Sequence, residues 1–346
     1  MLTSENLDRY LTAEDTSFLD ELMDLYNNSL QVMHELRQNK HSDKLRQNLI
    51  RLYGLVGQRM QDFVAQQPRV NVYSFKTPRP LHGEASYLIA KLRDKQTGRQ
   101  EFIYYIQRAY ELLFNLVYND AEGSSKNHLI VETPVDSPFQ NYAVHKIPNI
   151  DNKITSTSMC VMLRGALLPS MIMSKAIEEY SSINHVTPFA LFKIQRKEHE
   201  KDKRIQYLLD VQRSYFRPED LHGKDLIFAD PMNATGGSFT TVVSYLHQQN
   251  IVPRSIKLLT VIAAAKGVLR VLRTFDNVHI YTIWMDPMLN ESSFIMPGLG
   301  DAGDRINGQD FPESRRDIIQ LIADYGATIC NLYRSQVRTI EKVVLH

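Results

Sequence analysis

The sequence predicts a doubly wound, mostly parallel α/β sheet with helical extensions at both ends. Short apolar runs at 159–163, 189–194, 226–229, 258–263 and 278–283 have the length and uniform hydrophobicity of strands covered on both faces. Helical patterns near 170–180, 239–248 and 265–274 alternate with them. Strand–helix alternation of this kind builds parallel sheets with right-handed crossovers. A glycine-rich turn follows the 226–229 run directly, and open sheets take their ligands at the carboxyl ends of strands.

The elements follow in chain order. Leu19, Leu22, Met23, Tyr26, Leu30 and Met33 recur at helical spacing, with Thr12 and Asp15 placed as a capping box before them. After the polar break Asn39-Lys40-His41 comes a second amphipathic run, Leu45, Leu49, Leu52, Val56, Met60 and Phe63, ended by Gln67-Pro68. Residues 69–100 carry two short apolar segments. A strong helix follows through Phe102, Tyr105, Ile106, Ala109, Leu112, Leu113 and Leu116, with Thr97 and Gln100 as its expected capping box. A loop at 121–127, a strand at 128–135 and an irregular connection marked by Pro134, Pro138 and Pro148 lead to the sheet. Ile318, Ile322, Tyr325, Ile329 and Leu332 begin a last amphipathic helix. The predicted division is a helical hairpin at 1–67, an α/β domain at 68–311 and a terminal helix at 312–346.

Bulk properties narrow the function. The 346 residues are 43% hydrophobic and 23% charged, ordinary values for a globular protein. A net charge of +1 supplies no field for nucleic acid or an anionic membrane, so neither is expected as a partner. No apolar stretch approaches the ~20 residues of a membrane span. The amino terminus is acidic and polar, and Cys160 and Cys330 suit a reducing compartment, so a cytoplasmic location is expected. The histidines, among them His82, His145 and His222, are scattered, and no cluster of protein metal ligands is expected.

The turn Asp230-Pro231-Met232-Asn233-Ala234-Thr235-Gly236-Gly237-Ser238 carries the chemistry. Gly236 and Gly237 free the backbone to aim successive N–H groups into one concavity. Thr235 and Ser238 add hydroxyl donors, and the following helix points its positive end at the same spot. Asp230, ending a buried strand, is placed to accept hydrogen bonds from vicinal ribose hydroxyls. Phosphate at one end and diol at the other describe a ribose 5-phosphate. No Gly-Lys-Ser/Thr follows at the spacing of a Walker-type nucleotide loop.

This turn resembles the ribose-phosphate signature of uracil phosphoribosyltransferases. Leu289-Asn290-Glu291 and Ile295-Met296-Pro297-Gly298-Leu299-Gly300-Asp301-Ala302-Gly303-Asp304-Arg305 resemble that family's uracil-binding segment, and weaker similarity runs through 92–97 and 132–134. The resemblance covers roughly 70–308. It implies a type I phosphoribosyltransferase fold, base contacts at Ile295, Gly300, Asp301 and Ala302, and Asp301 near the ribose diphosphate. It also places Arg164 and Arg196 beside the diphosphate. Around Arg164 the order is Arg-Gly-Ala where the family usually reads Arg-Ala-Gly. The run after Arg196 is a charged EHEKDKRIQYL, in which only Tyr207 matches the family's hairpin. Asn233 stands where leucine is usual, and Phe294 where tyrosine is usual.

The implied reaction joins uracil to 5-phosphoribosyl 1-diphosphate, giving uridine monophosphate and diphosphate. Catalysis would rest on positioning and electrostatics, with Arg164, Arg196, Asp301 and an Mg2+ ion carried mainly by the ribose diphosphate. A homodimer or higher homo-oligomer is expected from the resemblance. A second reading keeps the ligand-binding fold but makes the chain a regulator or assembly module with little turnover. The altered flap and the added helices favour that reading; the two preserved ligand loops oppose it.

Overall fold

A computed structural model describes residues 2–3, 5–39, 42–77, 79–118, 126–135, 142–198 and 205–308. The helix expected over 312–346 and the charged flap tip at 199–204 lie outside them, as does most of the loop expected at 121–127.

After strand β1 (Leu2–Thr3) and a 3-10 turn at Glu5–Tyr10, α1 (Ala13–Gln38) and α2 (Asp43–Ala65) form the expected hairpin. The capping box is present: Asp15 N donates to Thr12 Oγ1 at 3.1 Å, and Thr12 N donates to Asp15 Oδ2 at 3.0 Å. Ser42 caps α2 through Leu45 N at 3.3 Å. The buried stripe of α1 runs through Phe18, Leu22, Tyr26 and Val32, while Met23 and Leu30 lie towards solvent. Phe18 stacks on Phe63 of α2 at 3.9 Å between ring centroids.

Next come β2 (Val70–Val72), the single turn α3 (Tyr73–Lys76), α4 (Arg79–Arg93) and α5 (Arg99–Tyr118). Helix α4 was not expected: Gly83 weakens its pattern, yet Pro80 falls in the first turn, where a missing N–H costs nothing. The expected capping box of α5 is corrected. The Thr97 hydroxyl donates to the Lys91 carbonyl at 2.7 Å, joining α5 to the end of α4, and Gln100 is exposed. Strands β3 (Lys126–Glu132) and β4 (Tyr142–Pro148) pair antiparallel with one another, so the stretch read as irregular contains a strand. The single turn α6 (Asp151–Ile154) leads into the sheet.

The sheet elements are β5 (Thr157–Leu163), α7 (Leu167–Tyr180), β6 (Phe189–Glu198), β7 (Ile205–Tyr215), β8 (Asp225–Ala229) and β9 (Met232–Asn233). After them come α8 (Gly237–Gln248), β10 (Ser255–Ala264), α9 (Ala265–Thr274) and β11 (Val278–Asp286). The short hairpin β12 (Met288–Leu289) and β13 (Ile295–Met296) and helix α10 (Ala302–Asn307) close the described chain. Among the described residues the main sheet runs β1-β7-β6-β5-β8-β10-β11-β2, with β9 beside β10. All pairings from β6 to β2 are parallel; β1 and β7 run antiparallel at one edge. Every residue of β5 and of β8 is buried, as strands covered on both faces require.

From β5 the chain crosses through α7 to β6, whereas from β8 it crosses through α8 to β10, in the opposite direction along the sheet. Right-handed crossovers in opposite directions put their helices on opposite faces. The switch point lies between β5 and β8, whose carboxyl ends carry Arg164 and Asp230. The amino-terminal hairpin is fastened to this frame. Phe18, Leu22, Val56, Met60 and Phe63 belong to the same core as β2, α9 and β10. Arg273 of α9 holds the buried Asp15 through two bonds of 2.7 and 2.8 Å. Burial alone would raise the Asp15 carboxyl, but hydrogen bonds from Arg273 and Thr12 outweigh it and hold it below the ordinary range.

Candidate active site

The phosphate-loop candidate leaves β8 at Asp230 and runs beside β10, where Met232 and Asn233 pair with Ile262 and Ala263. Gly236 takes φ +76° as the N-cap of α8. A Cβ there would press on Val271 and the Gly267 carbonyl, and a Cβ at Gly267 would collide with the Ala234 carbonyl. Glycine at both positions lets α9 lie against the loop. Gly237 N donates to Thr235 Oγ1 at 3.2 Å, and that hydroxyl also shares a hydrogen bond with the Tyr207 hydroxyl of β7. The Tyr207 ring lies so close over Gly237 that any Cβ would strike it. Arg270, 4% exposed, donates to Thr235 O at 3.4 Å and binds Asp8 of the amino-terminal segment at 2.6 Å.

Asp230 accepts from Met232 N at 3.1 Å, and its own N–H donates to Leu259 O at 3.0 Å. Burial raises its carboxyl to about 7; the Met232 hydrogen bond opposes this and the charge of Asp301 adds to it.

The base loop hangs from Asp286 at the end of β11. This carboxylate, 1% exposed, accepts from Gly298 N at 2.9 Å and from Arg93 at 2.6 and 3.2 Å. Arg93 also donates to Gly298 O at 3.4 Å. Gly298 takes φ +65° and Gly300 φ +77°, left-handed conformations that admit glycine without strain. Ile295 pairs with Leu289 and is buried, Ala302 is buried, and Gly300 and Asp301 are exposed. Asp301 caps α10 by accepting from Asp304 N at 2.9 Å. Arg305 donates to Leu299 O at 2.9 Å and to Asp94 O at 2.9 Å, with its guanidinium 4.0 Å from the centroid of the Phe102 ring.

Arg164 follows β5. Its guanidinium donates to Asp304 Oδ1 at 2.7 Å and to Gly308 O at 2.8 Å, against the end of the base segment. Gly165 lies across from Gly303 with room for a methyl group and outside the left-handed region, so neither space nor φ demands glycine at this position. Arg196, opposite Tyr207 in the β6–β7 ladder, donates to the Ser292 carbonyl and sits 5.1 Å from the centroid of the Phe294 ring. The two arginines thus flank the base segment, one at each end.

Tyr207, Arg93, Asp286 and Arg270 take part in this arrangement, and the sequence reading gave them no role. Asp286 had a usable signal: a carboxylate ending a buried strand needs a partner, the rule that singled out Asp230. Among the described residues no group of three or more His, Cys, Asp or Glu side chains is placed to hold a metal, and no helix is long and apolar enough to cross a membrane.

A family model described as uracil phosphoribosyltransferase matches residues 80–308. A protein of that name from Dictyoglomus thermophilum is 30% identical over 227 residues, covering 66% of this chain and 96% of its own length. One from a Thermoanaerobacter species is 31% identical over 227 residues, covering 66% and 95%. A solved structure, the AQ2163 protein from Aquifex aeolicus, covers 69% of this chain and 98% of its own, at 22% identity and a TM-score of 0.48.

Proposed function

Because the chain belongs to the uracil phosphoribosyltransferase family, we propose that it transfers the 5-phosphoribosyl group from 5-phosphoribosyl 1-diphosphate to uracil, giving uridine monophosphate and diphosphate. The observation that carries this reading is the loop that leaves β8 at Asp230, beside the switch point of the sheet, and runs through Gly236 at φ +76° into the amino end of α8. The bond from the anomeric carbon to the diphosphate oxygen breaks, and a bond from the same carbon to the base nitrogen forms. Charge grows on the leaving group and a cation develops on the ribose, so fixed charges and dipoles govern the rate.

Each part has a role in the proposal. Thr235 to Ser238 and the amino end of α8 hold the 5-phosphate. Asp230 holds the ribose hydroxyls. Arg164 exchanges Asp304 for diphosphate oxygens, a trade of one charge-assisted pair for another. Arg196 offers a second guanidinium from the other end of the base segment. Backbone groups at Ile295, Gly300, Asp301 and Ala302 present donors and acceptors to the pyrimidine edge. Asp230 and Asp301 supply hard oxygen donors, the kind Mg2+ takes, so an ion brought in on the diphosphate would meet suitable residues there. When bound, that ion would offset charge on the leaving group.

We also propose self-association. The β3–β4 hairpin pairs only with itself among the described residues and exposes Ile130, Tyr142 and Val144, and a lone two-stranded hairpin is marginal in water. Light scattering tests this part.

The main test is turnover with uracil, magnesium and the ribose diphosphate, run beside calorimetry of each ligand. Product formation is expected. Binding without product would replace transfer with a ligand-sensing role, and failure to bind either ligand would overturn the site.

A further inference from the structure

Building on that phosphate cradle, we propose that the amino-terminal segment clamps it at Thr235, with Asp8 as a positioning residue. Strand β1 backs Tyr207 against the Thr235 hydroxyl, and Asp8 aims Arg270 at the Thr235 carbonyl. Asp8 and β1 both lie outside the family match, which begins at residue 80.

The first arm of the clamp is a strand. β1 pairs antiparallel with β7, with Leu2 opposite Tyr207 and Thr3 opposite Gln206. On its other side Tyr207 faces Arg196 of β6. A strand paired on both sides opens less readily than an edge strand, whose backbone groups face water. From this held backbone the Tyr207 hydroxyl reaches Thr235 Oγ1, and its ring covers Gly237.

The second arm is an ion pair. Arg270 Nε donates to Asp8 Oδ1 at 2.8 Å, and Nη2 lies 2.6 Å from the same oxygen. Lys266 Nζ lies 3.1 Å from Asp8 Oδ2. A guanidinium is a rigid plane, so an anion along its Nε–Nη2 edge fixes where Nη1 points. Here Nη1 points at Thr235 O, 3.4 Å away. The same side chain backs the next residue, since a Cβ on Gly236 would stand 3.8 Å from Arg270 Cβ. At 4% exposure the Arg270 side chain has little water to turn to, so its anion decides its orientation. Asp8 is itself held in place: Leu7 beside it is fully buried, and their 3-10 turn packs on α9. Thr235 is thus gripped by its hydroxyl from one arm and by its carbonyl from the other. The grip falls just before α8, so it sets where the first amides of that helix point.

Asp8 is the position to change, because its side chain is 41% exposed and its truncation leaves the core intact. In Asp8→Ala, amide exchange across 235–237, buried in the wild-type protein, should accelerate about tenfold, a local opening short of global unfolding. Exchange across 295–303 should not change. The KM for the ribose diphosphate should rise about tenfold, below the ~100-fold that an ångström of misplacement costs. The uracil KM should hold. Arg270→Lys keeps the charge and loses the fork, so it should move both readings in the same direction, and it carries the test if Asp8→Ala does not fold. Unchanged exchange at 235–237 in a folded variant would overturn the proposal. A ribose diphosphate KM that holds or falls would do the same, since Asp8 would then restrain Arg270 without supporting the loop. Exchange is read without ligand, so a wild-type protein that rejects the ribose diphosphate counts against the proposed function and still leaves the clamp tested.

Discussion

The hydroxyl of Tyr207 meets the hydroxyl of Thr235 at the mouth of the glycine loop, and its ring covers Gly237. A phosphate oxygen is a stronger acceptor than a neutral hydroxyl, so an incoming 5-phosphate should draw the Tyr207 proton to itself. Tyr207→Phe should then raise the KM for the ribose diphosphate about tenfold, one lost hydrogen bond of roughly 1 kcal/mol or slightly more. The uracil KM should not move. Steady-state kinetics with each substrate varied in turn checks this, and an unchanged ribose diphosphate KM would reduce Tyr207 to a cover that never touches the ligand.

Asp230 gives the site a pH signature. Burial raises this carboxyl to about 7, and its ionised form is the one able to accept hydrogen bonds from two hydroxyls at once. Affinity for a ribose phosphate should therefore climb as pH rises through that value, and Asp230→Asn should flatten the climb. For stability the sign is opposite. The unfolded chain releases this proton near pH 4 and the folded chain keeps it, so the group's contribution to stability falls as pH rises from about 4 to about 7. Calorimetric titrations with ribose 5-phosphate at several pH values read the first effect.

Gly267 tests the close approach of α9. A Cβ there meets the Ala234 carbonyl, which belongs to the backbone and has no rotamer to escape through. Gly267→Ala should cost about 1–3 kcal/mol, as overpacking does, and weaken phosphate binding. Urea denaturation and calorimetry read the two effects separately. A variant that binds phosphate as before would show that the loop can shift without losing its cradle.

The buried pair Asp15–Arg273 should be the strongest single fastening of the hairpin. Asp15→Asn leaves a guanidinium without its anion and should cost about 3 kcal/mol at neutral pH. Asp15 is held below its ordinary range, so its contribution is present above the unfolded value near 4 and is lost as pH falls through the folded one. Acid denaturation of the variant should accordingly begin from a lower stability and depend less steeply on pH.

Much of this site was legible because its parts are local. Strands β5 and β8 carry the apolar runs 159–163 and 226–229, and each run is followed at once by a candidate site residue, Arg164 or Asp230. Strand β7 was not legible as a strand. Its residues IQYLLDVQRSY mix polar and apolar because it runs antiparallel near a sheet edge, and a charged flap precedes it. Tyr207 could be matched to a family position, but its place over Gly237 depends on a β6–β7 ladder that the sequence does not announce. Arg93 and Asp286 lie 193 positions apart, and no periodicity links them. Strand β4 was hidden because it ends on a proline and, among the described residues, pairs only with β3.

Strand β2 lies outside the family match, yet it forms the last rung of the main sheet beside β11. Arg69 next to it covers the carbonyls of Leu272, Phe275 and Val278, where α9 ends and β11 begins. A gene cut at the start of the family match would leave β11 with a bare row of unpaired amides and carbonyls, a template for any other strand in the cell. The border of the family match therefore falls inside the folding unit, and a cut at residue 80 would take a strand from the sheet.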